Sequence, residues 1–129
     1  SMCREIAYVW ASPTTALGLL FLPLALLSGG SYQIHSGVLE IYGGLARFFL
    51  RHFTLTRGGA SAMTLGHVVL AQDRQLLHTT RRHERVHVRQ CEQWGPLFVP
   101  AYLVSCLWQI VHGRDPYDNP FEREAYALE

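Results

Sequence analysis

The chain of 129 residues is poor in net charge, in cysteine and in repeated sequence, and each shortage closes off a class of protein. Its formal net charge is only +1 at pH 7. There is no broad positive field, so Arg74, Arg81, Arg82, Arg85 and Arg89 do not amount to a nucleic-acid surface and read as a solvated helix face. Cys3, Cys91 and Cys106 are an odd set without paired spacing. That excludes a disulfide framework and favours reduced thiols, as on the cytoplasmic side of a cell. No internal repeat, low-complexity tract or interdomain linker divides the sequence, so residues 1–129 read as a single domain. That length can bury a core but cannot build two well-developed lobes, and any cleft must be shallow or completed by something else.

Apolar sequence is plentiful. Thr15 to Leu27 is almost wholly apolar. A membrane-crossing helix needs about 20 such residues; this run is shorter, is interrupted by Pro23 and ends at Ser28-Gly29-Gly30. Three readings stand: a buried or interfacial helix, an uncleaved signal or anchor, and a true span. Residues 15–27 are thus a candidate for peripheral membrane contact. Tyr32 to His35 and Val38 to Tyr42, joined through Ser36-Gly37, read as a hairpin that ends at Gly43-Gly44. Leu45 to Phe53 reads as a short helix or a third strand. A turn is expected at Arg57-Gly58-Gly59, and a strand from Met63 to Ala71. Pro96 to Val111 is a second apolar segment, with Leu97, Tyr102, Leu107, Trp108 and Val111 expected to pack behind the helix that precedes it. Pro100 marks a kink or the true start of this segment. The class is α+β: a small antiparallel sheet against several helices.

The stretch His83-Glu84-Arg85-Val86-His87 carries the chemistry. On a helix, residues four apart stand one turn above each other, so both imidazoles can reach one divalent ion such as Zn²⁺, with a carboxylate beside them. At about 100° per residue, His83, Glu84, His87, Cys91 and Trp94 share one sector. Arg81, Arg82, Arg85, Arg89 and Glu92 fill the opposite one, giving an amphipathic helix whose histidines face inward and whose guanidinium groups face water. Gly95-Pro96 ends it.

Two histidines do not complete a catalytic zinc site. A third ligand can come from the carboxyl-terminal segment, where Asn119 reads as a helix cap, Pro120 as the first helical residue and Glu122 as part of the first turn. Glu122 has a rival use, folding back onto the Asn119 backbone. Glu124 competes as third ligand. Cys91 lies one turn past His87, but three ligands rising along one helix are nearly collinear, and the thiol reads as a small buried group behind the site.

His83-Glu84-x-x-His87 followed by Glu122-x-x-Ala125 resembles the gluzincin metallopeptidases over about the last third of the chain, and the short length resembles their minimal, minigluzincin form. The resemblance implies His83, His87 and Glu122 as zinc ligands, Glu84 as general base and acid, and a peptide or protein substrate. It implies an edge strand ahead of the metal helix that pairs with extended substrate, with His67 near enough to touch it. Many relatives carry an aspartate after the alanine; Tyr126 stands there, leaving that role unassigned. Tyr117, Tyr126, His112 and Arg114 are the candidates for stabilising an oxyanion. A competing reading is a membrane-associated binding or structural domain, whose zinc is structural or vestigial and staples two helices.

Overall fold

A computed structural model of the chain describes residues 2–54 and 59–129. Two helices, α1 (Met2–Leu19) and α2 (Phe21–Leu27), precede strands β1 (Ser31–His35) and β2 (Val38–Tyr42). Helix α3 (Gly44–His52) leads to β3 (Ala62–Leu65) and β4 (Val68–Ala71). Then come α4 (Arg74–Trp94), a 3-10 turn at Gly95–Leu97, α5 (Phe98–Val111) and α6 (Pro120–Leu128).

The α+β class holds, with one pairing different from expectation. Strand order is β1-β2-β4-β3, and β2 runs parallel to β4 while both outer pairs are antiparallel. The cause lies in the connection. A parallel pair needs a long crossover, and the chain between Tyr42 and Val68 contains α3 and β3. Leu45 to Phe53 is therefore helix, and the expected single strand from Met63 to Ala71 is a hairpin folded at Gly66-His67. Gly66 has φ +65°, as the first position of a two-residue hairpin turn requires. Arg57 and Gly58 of the expected turn lie outside the described residues.

The sheet is covered on both faces, which explains why β4 is apolar at every position rather than alternating. Ile41, Val68 and Leu70 pack with Ala25 of α2 and with Ala46 and Leu50 of α3. Val38, Val69 and Ala71 point the other way, against Leu77 and Val88 of α4. One cross-strand row on this second face is polar at three of its four positions: Gln33, Glu40 and Thr64 stand in register, with Val69 between the last two.

Helix α1 crosses close to the sheet and to the end of α4. A Cβ on Gly18 would lie 2.6 Å from Val68 Cβ, so only glycine allows that approach. Thr14 Oγ1 donates to the Gly95 carbonyl, and Trp10 Nε1 donates to the Gln93 carbonyl. Pro13 lacks the N–H that would bond the Val9 carbonyl, and Ser12 Oγ donates to that carbonyl instead, at 2.7 Å. The apolar run from Thr15 to Leu27 is split between α1 and α2, and most of its large side chains are exposed. The second apolar segment departs from expectation in the same way. Phe98 and Cys106 are buried, but Leu97, Leu107, Trp108 and Val111 face outward instead of packing on α4. Pro100 falls in the first turn of α5, where it removes no helical hydrogen bond.

Candidate metal centre

Helix α4 is held in rotation by the polar row of the sheet. Its cap is Asp73, whose carboxylate accepts from Leu76 N at 2.8 Å. The buried Glu40 carboxylate then takes Arg81 Nη2 at 2.9 Å, Arg85 Nη2 at 2.7 Å and Gln33 Nε2 at 2.9 Å. Burial alone would raise this carboxyl; the hydrogen bonds from Arg81, Gln33 and Arg85 outweigh it and lower it to about 2. Arg81 and Arg85 were expected to face water and are instead ion-paired, whereas Arg82 and Arg89 are exposed. Three positions beyond Arg81 on the helix, Glu84 meets the same row: Thr64 Oγ1 donates to its Oε1 at 2.8 Å.

With α4 turned this way, His83 and His87 face α6. The ligand atoms of His83, Glu84 and His87 lie within 4.8 Å of one another. Glu122 comes from the first turn of α6, whose cap Asn119 is fully buried and accepts from Glu122 N at 3.0 Å. The Glu122 carboxylate does not fold back onto its own cap. Its Oε1 lies 2.8 Å from His83 Nε2 and 3.1 Å from His87 Nε2, and its Oε2 accepts from the Tyr102 phenol at 2.5 Å.

The outer nitrogen of each imidazole is also occupied. Gln90 Nε2 donates to the Phe121 carbonyl and to Glu124 Oε1, which leaves Gln90 Oε1 as the acceptor for His87 Nδ1 at 2.7 Å. His83 Nδ1 donates to Glu129 Oε2 at 2.9 Å. Both Nδ1 atoms therefore carry protons, and both Nε2 atoms turn toward a single carboxylate oxygen. Two nitrogen lone pairs and an anionic oxygen at this separation repel unless positive charge lies among them. In the metal-free protein that charge is protons. Burial would lower both histidines, but the Glu122 hydrogen bonds and the Glu84 charge outweigh it, so His83 is raised and His87 is pushed up to about 9. Burial would raise Glu122, and the bonds from His83 and His87 hold it well below the usual carboxylate range instead. Glu84 is raised by its burial, with His87 and Thr64 opposing.

A divalent cation satisfies the same arrangement. Two imidazole nitrogens and a carboxylate oxygen, each imidazole anchored through its other nitrogen, form a donor set that suits zinc. The competing donors are engaged elsewhere. Glu124 binds Gln90, and Cys91 is fully buried with its thiol pushed up to about 12 by that burial.

A cleft of about 590 Å³ opens beside these groups, floored by His83, Glu84, His87 and Glu122 and flanked by Thr64 and Leu65 of β3. Strand β3 is an edge of the sheet. Tyr117 lines the cleft, and the Tyr126 ring lies 4.5 Å from that of His83. His67 does not reach it. It sits in the β3–β4 turn, buried, stacked 3.8 Å from Tyr8 and bonded to Glu92 at 2.8 Å, because the hairpin carries it to the far end of the strand. His112 is exposed at the end of α5 and bonds the Trp108 carbonyl, and Arg114 is likewise outside the cleft lining. The residues that the sequence reading did not place at the site are Thr64, Gln90, Tyr102 and Glu129. Gln90, three residues past His87 on one helix face, had a readable signal; the others depend on contacts between elements distant in sequence. Compared with protein-family models, curated proteins and solved structures, the chain has no match.

Proposed function

We propose that this chain is a zinc-dependent peptidase. The carrying observation is the convergence of His83 Nε2 and His87 Nε2 on Glu122 Oε1, at 2.8 and 3.1 Å, while both Nδ1 atoms are spent on oxygen acceptors. The two motifs shared with gluzincins support the same reading. His83, His87 and Glu122 would hold the ion. Zinc bound there supplies Lewis acidity, which lowers the pKa of an adjacent water toward about 7 and polarises a carbonyl oxygen.

The chain's own residues do the rest. Glu84, positioned by Thr64, accepts a proton as water oxygen bonds to the substrate carbonyl carbon. It returns that proton to the amide nitrogen as the carbon–nitrogen bond breaks, so the products are a carboxylic acid and an amine, which exchange the remaining water proton to become carboxylate and ammonium. The burial that raises Glu84 brings its basicity closer to that of the water it must deprotonate. Tyr102 steadies the Glu122 carboxylate through Oε2. Tyr117 and Tyr126 stand at the cleft as phenol donors for the oxyanion. Strand β3, outermost in the sheet among the described residues, would offer main-chain hydrogen bonds to an extended peptide.

Glu84→Gln tests the assignment. The variant should retain zinc in elemental analysis yet hydrolyse a peptide library at least about 100-fold more slowly, whereas His83→Ala and Glu122→Ala should lose the metal. Unchanged hydrolysis in Glu84→Gln, or a wild-type protein that takes up no zinc, refutes it. The competing structural-zinc domain predicts metal without turnover in every variant that binds it.

A further inference from the structure

The outer faces of α2, of α5 and of α1 beyond its charged first turn are predominantly apolar. Val9, Leu17, Leu20, Leu24 and Leu27 recur along the first two, Leu20 at their junction, and Leu103, Val104, Leu107, Trp108 and Val111 on the third; all are exposed, Leu27 to 87% and Val111 to 72%. No Asp, Glu, Lys or Arg occurs between Glu5 and Glu40, or between Glu92 and Arg114. Helix α1 packs on the end of α4 and on the 3-10 turn that precedes α5, through Trp10 and Thr14. Soluble monomers rarely expose contiguous apolar patches beyond a few hundred Å². By length and composition Cys3–Leu27, with mean hydropathy 1.6, is apolar enough to cross a membrane.

Charge is gathered at one end of this surface. Exposed Arg89 shares a concavity with Arg4, in the first turn of α1, and with Glu92, and exposed Arg82 lines the neighbouring one with Glu129, while Arg81 and Arg85 between them are paired with Glu40. An apolar face bordered by guanidinium groups matches hydrocarbon bordered by anionic headgroups. A second protein surface would need polar partners to set its register, since specific interfaces carry a polar rim and about ten hydrogen bonds. The exposed side chains of the stripes themselves are aliphatic or indole, and a fluid apolar phase requires no such register.

We propose that α1, α2 and α5 seat this chain in a lipid bilayer, and that its cleft takes peptide segments tethered to that membrane. The second half rests on the peptidase reading above; the first does not. Helix α5 connects the two. Its 14 residues span about 21 Å, short of a hydrocarbon core of about 30 Å, so it enters one leaflet without crossing. Its other side, through Phe98, Val99 and Tyr102, is a wall of the cleft, and Leu103 belongs to both surfaces.

The full chain, purified in mild detergent, is mixed with phosphatidylcholine vesicles with and without phosphatidylserine, and the detergent is removed. Wild type should float with both and bind more strongly with phosphatidylserine, and its tryptophan emission, to which Trp108 on the apolar face of α5 contributes along with Trp10 and Trp94, should shift to the blue and be quenched by brominated lipid. Val104→Glu with Leu107→Glu, and separately Leu17→Glu with Leu20→Glu, replace exposed side chains and should each reduce flotation at least tenfold with unchanged far-UV circular dichroism. Wild type left in the soluble fraction, or charged variants floating equally well, overturns the bilayer seat. A lipid-free dimer broken by the same substitutions does so too. His83→Ala should float like wild type, so failure of the metal site and failure of the seat are separable. A bilayer-tethered peptide should be cleaved at least tenfold faster than the same peptide free; equal rates overturn the substrate class.

Discussion

Glu40→Gln tests whether the sheet sets the rotation of α4. The Glu40 side chain is almost fully buried and bonds Arg81, Arg85 and Gln33, which hold its carboxyl at about 2 against an ordinary 4.5. A tenfold step in a proton equilibrium is worth about 1.4 kcal/mol, so the depression corresponds to about 3 kcal/mol of folding stability. Both guanidinium groups keep some water contact, with Arg81 19% and Arg85 21% exposed, so the expected loss in Glu40→Gln is about 2–3 kcal/mol at pH 7. The folded carboxyl is more acidic than the unfolded one. Its contribution is therefore complete above the unfolded value, falls as pH drops below about 4.5, and is gone near 2. Urea unfolding of metal-free wild type and variant, followed by circular dichroism across this range, should show a stability difference that is flat from pH 7 to 5 and closes toward pH 2. A difference below about 1 kcal/mol at pH 7, or one that persists unchanged at pH 3, refutes the argument.

Gln90→Leu removes the acceptor for His87 Nδ1 and should weaken zinc binding about 10–100-fold in competition with a chelating dye; equal affinity would show that the imidazole is oriented by packing alone. Thr64→Val removes the hydroxyl that stabilises the ionised Glu84, so the carboxyl rises further and the acidic limb of the kcat/KM profile should move to higher pH. An unmoved limb would show that this hydrogen bond does not tune the base.

What could be read along the chain is what depends on neighbours one turn away. The spacing of His83, Glu84 and His87 puts the three side chains near one another on a helix, and here their ligand atoms lie within 4.8 Å. Asn119-Pro120 caps α6 as its residue types dictate, and Ser36-Gly37 folds the first hairpin. Patterns spanning two surfaces misled. Arg81 and Arg85 look like solvent residues on a helical wheel, yet Glu40, more than forty positions earlier, pairs with both. His67 falls inside the expected strand but is one of the two residues that reverse the chain. Leu107, Trp108 and Val111 have the composition of a core and none of its burial.

The local sequence determined that this protein would present two imidazoles and a carboxylate from one helix, because the α-helical repeat leaves that spacing no other outcome. Only the tertiary structure decided that Glu122 would meet both imidazoles at one oxygen, that Thr64 would hold Glu84, and that two apolar faces would be left without cover. Those outcomes rest on strand register and helix approach, which are set by the combined burial of residues that no local pattern connects.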